Sequence, residues 1–285
     1  MGNTPLIKFQ LKGLPNVDIF FKNETATKTQ SLKHRFSWAL LLWAIIEGKV
    51  NSKSTVYDST SGNTGASEAY MCTLVGLPFI AVVAKEIEQE KINQITSNGG
   101  KIMKRQKLRE RFMVYRFTNE SGTKFWKAPG VAGIGYGYNV KPVIYGETTS
   151  LTRSVVDESM KMPDIASVAA MHVLRERGIG GGASTGLNFL VSIHKAYQLK
   201  DSKDIKGRLT IVTIICDPAE FYESTYFNPK WIDKMFADKG GMEGLECWKK
   251  AINNAIDTGS DFLEEGLAKC PDAARVRRSL YGLNA

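Results

Sequence analysis

Two segments of the sequence carry side chains that could do covalent chemistry together. Lys33 lies within SLKHR at 31–35, and a loop of hydroxyl, amide and glycine residues, TSGNTG, follows at 60–65. A primary amine can hold a carbonyl cofactor as a Schiff base, and the backbone N–H groups of such a loop can bind a carboxylate. The pairing predicts Schiff-base chemistry on an amino acid, with pyridoxal phosphate (PLP) supplying the carbonyl.

The predicted elements place both segments where a ligand could bind. Apolar residues within 31–47 recur at helical spacing, which puts Lys33 in the first turn of a predicted helix. Residues 60–65 lie between a predicted strand at 54–58 and a predicted helix at 66–75. In open α/β sheets, ligands bind at such strand ends.

The rest of the pattern alternates strands with helices. We predict further helices over 88–97, 163–177 and 188–199, and further strands over 78–83, 101–103 and 209–215. This spacing is typical of βαβ units and predicts an α/β fold with a parallel sheet. The apolar run at 209–215 has the composition of a central strand of that sheet.

Two other glycine-rich segments have the composition of possible ligand sites. GGGASTG at 180–186 opens a predicted helix and could hold phosphate or place a hydroxyl against a ring nitrogen. GVAGIGYG at 130–137 lacks G-x-G-x-x-G spacing, which argues against a dinucleotide site. Taken alone, Lys33 could also be an ordinary solvated lysine. Residues 60–65, taken alone, could be a plain turn between a strand and a helix.

Charge and hydropathy exclude several classes of function. The net charge of +9 is concentrated in basic clusters at 104–111 and 275–278, without the aromatic platform or base-reading motif of a nucleic-acid binder. We therefore expect no nucleic-acid partner. The longest apolar run, 38–46, has nine residues, whereas a membrane-spanning helix needs about 20. No membrane association is expected.

The cysteines and histidines indicate neither disulfides nor a metal. Four cysteines lie far apart without a CxxC pair, so we expect reduced thiols in the cytoplasm, with the mitochondrion as the alternative. The three histidines are scattered, which predicts no metal site.

Several motifs together resemble the fold-type II PLP enzymes, the cysteine synthase and cystathionine β-synthase superfamily. GNTPL at 2–6, SLKHR at 31–35 and TSGNTG at 60–65 resemble its opening motif, its Schiff-base lysine block and its asparagine loop. Segments at 182–188, 213–217 and 222–231 resemble the cysteine synthase-like branch that includes L-cysteine desulfhydrases. The resemblance implies a tryptophan synthase β-like, three-layer α/β domain over 1–240, followed by a helical C-terminal extension over 241–285.

The resemblance also implies roles for individual residues. Lys33 would form the internal aldimine and remove the substrate's α-proton, Asn63 would bind the phenolic oxygen of PLP, and Ser184 would meet the pyridine nitrogen. The substrate carboxylate would be bound by Thr60, Ser61, Gly62 and Thr64. A neutral hydroxyl at the ring nitrogen favours prompt loss of a β-substituent through aminoacrylate. The implied function is β-elimination or β-replacement on cysteine, O-acetylserine or serine, in a homodimer.

The sequence departs from the family pattern in three places. KTQS at 28–31 stands where Pro-Thr-Gly-Ser is usual, and His34 stands where Asp is usual. The family's Gly-Thr-Gly-Gly-Thr phosphate loop is absent from the chain. Only residues 104–116 separate the predicted strand at 101–103, which resembles the family's fifth strand, from a stretch resembling sequence beyond that loop, whereas one βαβ unit takes about 30 residues. We therefore predict an incomplete central sheet, and a catalytically inactive truncated paralogue or isoform, acting as a partner or regulator, as the alternative function.

Overall fold

The computed structural model describes residues 2–85, 87–105, 158, 160, 162–202 and 206–271. Within these limits the chain forms two compact units, one from residues 2–6, 22–105 and 215–221, the other from residues 7–21, 158–214 and 222–271. The glycine-rich segment at 130–137, the stretch at 106–122 and the basic residues at 275–278 lie outside the described residues.

Strands and helices alternate through most of the described chain. The strands are β1 (Leu6–Gln10), β2 (Val17–Asn23), β3 (Val56–Asp58), β4 (Phe79–Ala84), β5 (Lys101–Arg105) and β6 (Leu209–Ile215). The helices are α1 (Lys33–Ile46), α2 (Gly62–Leu74), α3 (Gln89–Ser97), α4 (Asp164–Glu176), α5 (Ala183–Leu199), α6 (Pro229–Met235), α7 (Gly241–Thr258) and α8 (Phe262–Lys269). The predicted α/β class is confirmed.

The first unit contains a parallel sheet in the order β3-β4-β5. Val56 pairs with Phe79, and Ile80 pairs with Lys101, so α2 and α3 are the crossover helices of a βαβαβ arrangement. The parallel sheet was predicted from the alternation of elements and is confirmed. Its core joins the inward faces of the sheet and these helices, and consists of Ala69, Cys72, Leu77, Phe79, Ala81, Val83 and Ile95.

Two details of the first unit differ from the prediction. Helix α2 begins at Gly62 and not at residue 66, so most of the TSGNTG segment is the first helical turn and not a loop. Helix α1 was predicted correctly, but its apolar stripe is not buried, because Phe36 and Trp43 are 51% and 62% exposed. The residues that α1 does bury are polar, His34 and Ser37.

The second unit combines a sheet in the order β1-β2-β6 with helices α4 to α8. Three mutually packed aromatic rings, Phe9, Phe21 and Phe189, join the sheet to α5, with centroids 5.0 to 6.1 Å apart. Helix α5 crosses α4 closely, since a Cβ on Gly186 would lie 2.1 Å from the Ser167 carbonyl oxygen. Among the described residues, β6 is an edge strand of this sheet and does not occupy the central position that was predicted for it.

The C-terminal helices are an integral part of the second unit's core. Trp248 of α7 is buried, and α8 packs directly on its ring, since a Cβ on Gly266 would lie 2.0 Å from Cζ3 of that indole. The helical character of residues after 240 was predicted, and the domain boundary at 240 stays a prediction. No helix in the described part of the chain is long and apolar enough to cross a bilayer.

The prediction that all four cysteines are reduced was wrong for one pair. Cys247 of α7 and Cys270, directly after α8, form a disulfide, with Cα atoms 5.6 Å apart. The fold of α8 back onto α7 brings together residues 23 positions apart, which sequence spacing alone did not indicate. Cys72 and Cys216 are buried and take no part in this disulfide.

Gln30 adopts a conformation that favours glycine. Its φ of 55° is the single positive value at a non-glycine position among the described residues, and it falls where the family pattern has glycine. The left-handed region costs an L-residue about 1–2 kcal/mol. Its side chain is exposed, so little packing compensates for this cost.

We expect Gln30→Gly to stabilise the chain by roughly 0.5–1 kcal/mol, because relief of strain exceeds the entropy that glycine adds to the unfolded state. Urea unfolding measures the difference. Lys28→Gly, at an exposed neighbour with negative φ, is the matched control and should destabilise. Equal destabilisation by both substitutions would contradict the assigned backbone strain.

Candidate active site

Lys33 is the first residue of α1, as predicted. Its backbone N–H donates to Ser31 Oγ at 3.2 Å, and the N–H of Leu32 donates to the carbonyl oxygen of Cys216 at 2.8 Å. These bonds fix the backbone that carries the Lys33 side-chain amine. The Lys33 side chain is half-buried, and no ion pair or hydrogen bond engages its ammonium group within the described residues.

The first turn of α2 presents backbone donors suited to an anion. Thr60 is buried before the helix, and Ser61 occupies the N-cap in extended conformation without a side-chain capping bond. Gly62 takes a φ of 55°, and Gly65 packs so closely on Thr60 and Ile95 that a Cβ would lie about 3 Å from both. A helix N-terminus without a side-chain cap can bind a carboxylate through its backbone N–H groups.

Asn63 lies in the same turn and contacts a residue that the sequence did not single out. Its Nδ2 donates to Asp217 Oδ2 at 2.6 Å, although the two residues are 154 positions apart. Asp217 is 3% exposed and follows shortly after β6. An acidic residue directly after an apolar strand was the available signal, because ligand sites form at strand ends.

A buried polar network holds the lysine block against α2. Thr29 Oγ1 lies 3.1 Å from His34 Nδ1 and 2.9 Å from Ser67 Oγ, and all three side chains are buried. Burial lowers the pKa of His34, which keeps the ring neutral near pH 7. A neutral imidazole can share a hydrogen bond with Thr29, so the departure at His34 is accommodated.

The N-terminal motif is joined to α1 by a partly buried ion pair. Arg35 binds Glu24 through two hydrogen bonds of 2.7 and 3.1 Å and also donates to Thr4 Oγ1 at 3.2 Å. Thr4 in turn donates to Glu24 at 2.8 Å. The three motifs at 2–6, 31–35 and 60–65 are thus brought together within one unit.

Ser184 is placed in the other unit. It is the second residue of α5, half-buried, in a first turn that Gly182 opens without a side-chain cap. Its contact with a ring nitrogen stays a prediction. The absence of a metal site was also expected, and within the described ranges no three His, Cys, Asp or Glu side chains cluster as a metal centre would require.

Two carboxyl groups lie together at the second turn of α2. Glu68, in the second turn of α2, is buried next to Asp58 at the end of β3. Burial, and then the negative charge of Asp58, raise the pKa of Glu68 to about 8, so Glu68 keeps its proton near neutrality and shares a hydrogen bond with Asp58. Burial also raises the pKa of Cys72, to about 11, which keeps that thiol protonated and unreactive.

Comparison with known proteins identifies the family. Residues 1–124 match the family model described as pyridoxal-phosphate dependent enzyme. A Caenorhabditis elegans protein, F13B12.4, whose name proposes PLP dependence and no particular reaction, is 46% identical over 97% of this chain and 87% of its own length. The chain therefore belongs to the PLP-dependent enzymes, and PLP is the cofactor of its family.

Other similarities agree with the fold-type II superfamily. L-cysteine desulfhydrase Cds1 of Mycobacterium tuberculosis is 26% identical over 79% of this chain and 83% of its own length. The crystal structure of cysteine synthase from Entamoeba histolytica matches 79% of this chain and 88% of its own, with a TM-score of 0.61 at 16% identity. The fold-type II architecture predicted from the motifs is confirmed.

The comparison also bears on the predicted internal gap. The match to the Caenorhabditis elegans protein extends over 379 aligned positions, more than the 285 residues of this chain. That relative therefore carries residues without a counterpart here, in agreement with an incomplete internal region. The placement of the gap at 104–116 stays a prediction.

The residues present fit the reactive end of PLP. An amine for the aldehyde carbon, an amide donor for the phenolic oxygen and free helix N–H groups for a substrate carboxylate lie on one unit. The donors for the phosphate are not identified within the described residues. Lys33, Asn63 and the first turn of α2 are therefore the residues that would hold the reactive end of the cofactor.

We predict that Glu68→Gln removes a pH dependence from folding stability. The folded chain retains the Glu68 proton up to about pH 8, whereas the unfolded chain loses it near 4.5, so wild-type stability falls as pH rises between these values. The expected wild-type loss attributable to Glu68 is on the order of 3 kcal/mol. Chemical denaturation at pH 5 and pH 8 measures it.

Glu68→Gln should therefore gain stability relative to wild type as pH rises. Glu47→Gln, at a carboxylate paired with Lys49 near the end of α1, serves as the control substitution. Parallel pH profiles for wild type and Glu68→Gln would show that Glu68 does not carry the raised pKa.

Proposed function

We propose that this chain binds PLP through Lys33 and Asn63 and catalyses β-elimination or β-replacement on cysteine, O-acetylserine or serine. The observation that carries the proposal is the joint anchoring of the lysine block and the asparagine turn by residues 216 and 217. Two separate segments supply these groups, the lysine block with the amine and the segment at 60–65 with both the amide and the helix N-terminus, and both segments belong to one unit.

The roles follow from the chemistry of each group. When bound, PLP withdraws electrons from the substrate's α-carbon. The Lys33 amine holds the aldehyde carbon of the cofactor and takes the α-proton after the substrate has displaced it. Asn63 donates to the phenolic oxygen and orients the ring. The substrate carboxylate is held at the N-terminus of α2 by Thr60, Ser61, Gly62 and Thr64.

Ser184 completes the proposed set as the partner of the pyridine nitrogen. A hydroxyl does not enforce a protonated ring, so electron withdrawal is moderate and loss of a β-substituent is favoured. The names of L-cysteine desulfhydrase Cds1 and of the hydrogen sulfide-producing enzyme Fn1055 of Fusobacterium nucleatum support cysteine as a substrate class. We further propose a homodimer with a small amino acid as its ligand.

One observation favours a second candidate, a catalytically inactive partner or regulatory protein. The chain has no Gly-Thr-Gly-Gly-Thr segment, and its aligned relative carries residues that it lacks. A chain without phosphate donors would hold PLP weakly or not at all. Binding of the cofactor therefore separates the two candidates.

Purified chain with added PLP should develop the visible absorbance band of a lysine-linked pyridoxal. We expect Lys33→Ala to abolish this band and to lower the release of sulfide or pyruvate from cysteine by roughly 10²–10⁴-fold or more, because the covalent anchor and the base are lost together. Absorbance spectroscopy and a sulfide assay measure the two effects.

Lys28→Ala is the matched control, since Lys28 is exposed five residues earlier and has no proposed role. It should keep both the band and the turnover. A wild-type chain that shows no band at any PLP concentration would favour the inactive partner.

A further inference from the structure

Asp217 is a buried carboxylate that none of the roles above uses. It is 3% exposed, and it accepts a hydrogen bond of 2.6 Å from the side-chain amide of Asn63. The Asn63 NH₂ group is the donor, and a carboxylate oxygen of Asp217 is the acceptor. A carboxylate removed from water requires such donors, so the contact constrains both side chains.

The two ends of the Asn63 amide are chemically different. The NH₂ group only donates and the oxygen only accepts, whereas an ionised carboxylate only accepts. Rotation of the amide by 180° would place its oxygen against a carboxylate oxygen. The bond to Asp217 therefore determines which end of Asn63 faces this neighbour, and it leaves one N–H for another acceptor.

We propose that Asp217 is a positioning residue that fixes the Asn63 amide, so that one N–H binds Asp217 and the other is held for the phenolic oxygen of PLP. This inference rests on the proposed function, which gives Asn63 that oxygen as its acceptor. Asp217 then acts through Asn63, and its effect on the cofactor disappears when Asn63 is removed.

The backbone next to Asp217 is held independently of its side chain. The carbonyl oxygen of Cys216 accepts the N–H of Leu32 at 2.8 Å, a bond that a side-chain substitution at 217 leaves in place. Asp217→Asn is nearly isosteric and can meet Asn63 with either its NH₂ group or its oxygen. The substitution therefore removes the orientation and keeps the volume.

The first test needs no cofactor. In a double-mutant cycle on the full chain, Asp217→Asn should lower the folding equilibrium constant about tenfold when residue 63 is asparagine. It should cause no loss when Asn63 has been replaced by alanine. Urea unfolding of the four proteins gives the constants.

Glu68→Gln is the control, because residues 63 and 68 are five apart on α2 and do not face each other. The effect of Glu68→Gln should add to that of Asn63→Ala. Additive effects for Asp217 as well would overturn the proposal.

The second test measures PLP affinity by titration of the visible band. Asp217→Asn should weaken binding about tenfold with Asn63 present and leave it unchanged in the Asn63→Ala background. Equal weakening in both backgrounds would mean a merely structural role and would overturn the proposal. If the wild-type chain bound no PLP, the proposed function would fail, and the cycle without cofactor would then uphold or overturn the fixing of the Asn63 amide.

Discussion

The candidate site depends on one short segment, residues 216 and 217, which hydrogen-bonds to two distant parts of the chain. The Cys216 carbonyl binds the backbone just before Lys33, and the Asp217 carboxylate binds Asn63. Neither the lysine block nor the first turn of α2 can move without breaking one of these bonds. Because this segment follows β6, far along the sequence from both Lys33 and Asn63, the site exists only in the folded chain.

Local patterns predicted most elements, since apolar periodicity and glycine punctuation act within ten to fifteen residues. They placed Lys33 correctly in the first turn of α1 and identified the parallel order of β3, β4 and β5. They could not reveal the contact of Asn63 with Asp217 or the disulfide between Cys247 and Cys270, because both depend on tertiary packing. The start of α2 was placed too late because glycine, serine and threonine have low helix propensity, which capping positions override.

Burial was harder to predict than secondary structure. The apolar stripe of α1 predicts a core-facing helix, yet Phe36, Trp43 and Ile46 are more than half exposed. Contiguous apolar exposure of this kind is uncommon on soluble monomers. The spacing of apolar residues along the chain is enough to predict a helix, whereas burial also needs another surface of the protein to pack against. The aligned relative has residues for which this chain has no counterpart. The periodicity therefore correctly indicated a helix and gave no measure of what packs against it.

The unfavourable groups of the first unit are concentrated around the candidate site. Gln30 holds a left-handed backbone two residues from Leu32, Glu68 is buried with its proton six residues after Gly62, and Asp217 is a carboxylate withdrawn from water. The backbone of Gln30 lowers stability compared with glycine at that position. The carboxyl groups of Glu68 and Asp217 lower it compared with apolar residues at these buried positions. A protein that used only the fold as an interaction surface would need none of them. The buried carboxyl groups of Glu68 and Asp217 are typical of sites whose geometry serves a ligand, whereas the strain at Gln30, where the family pattern has glycine, is a departure that such a site does not require.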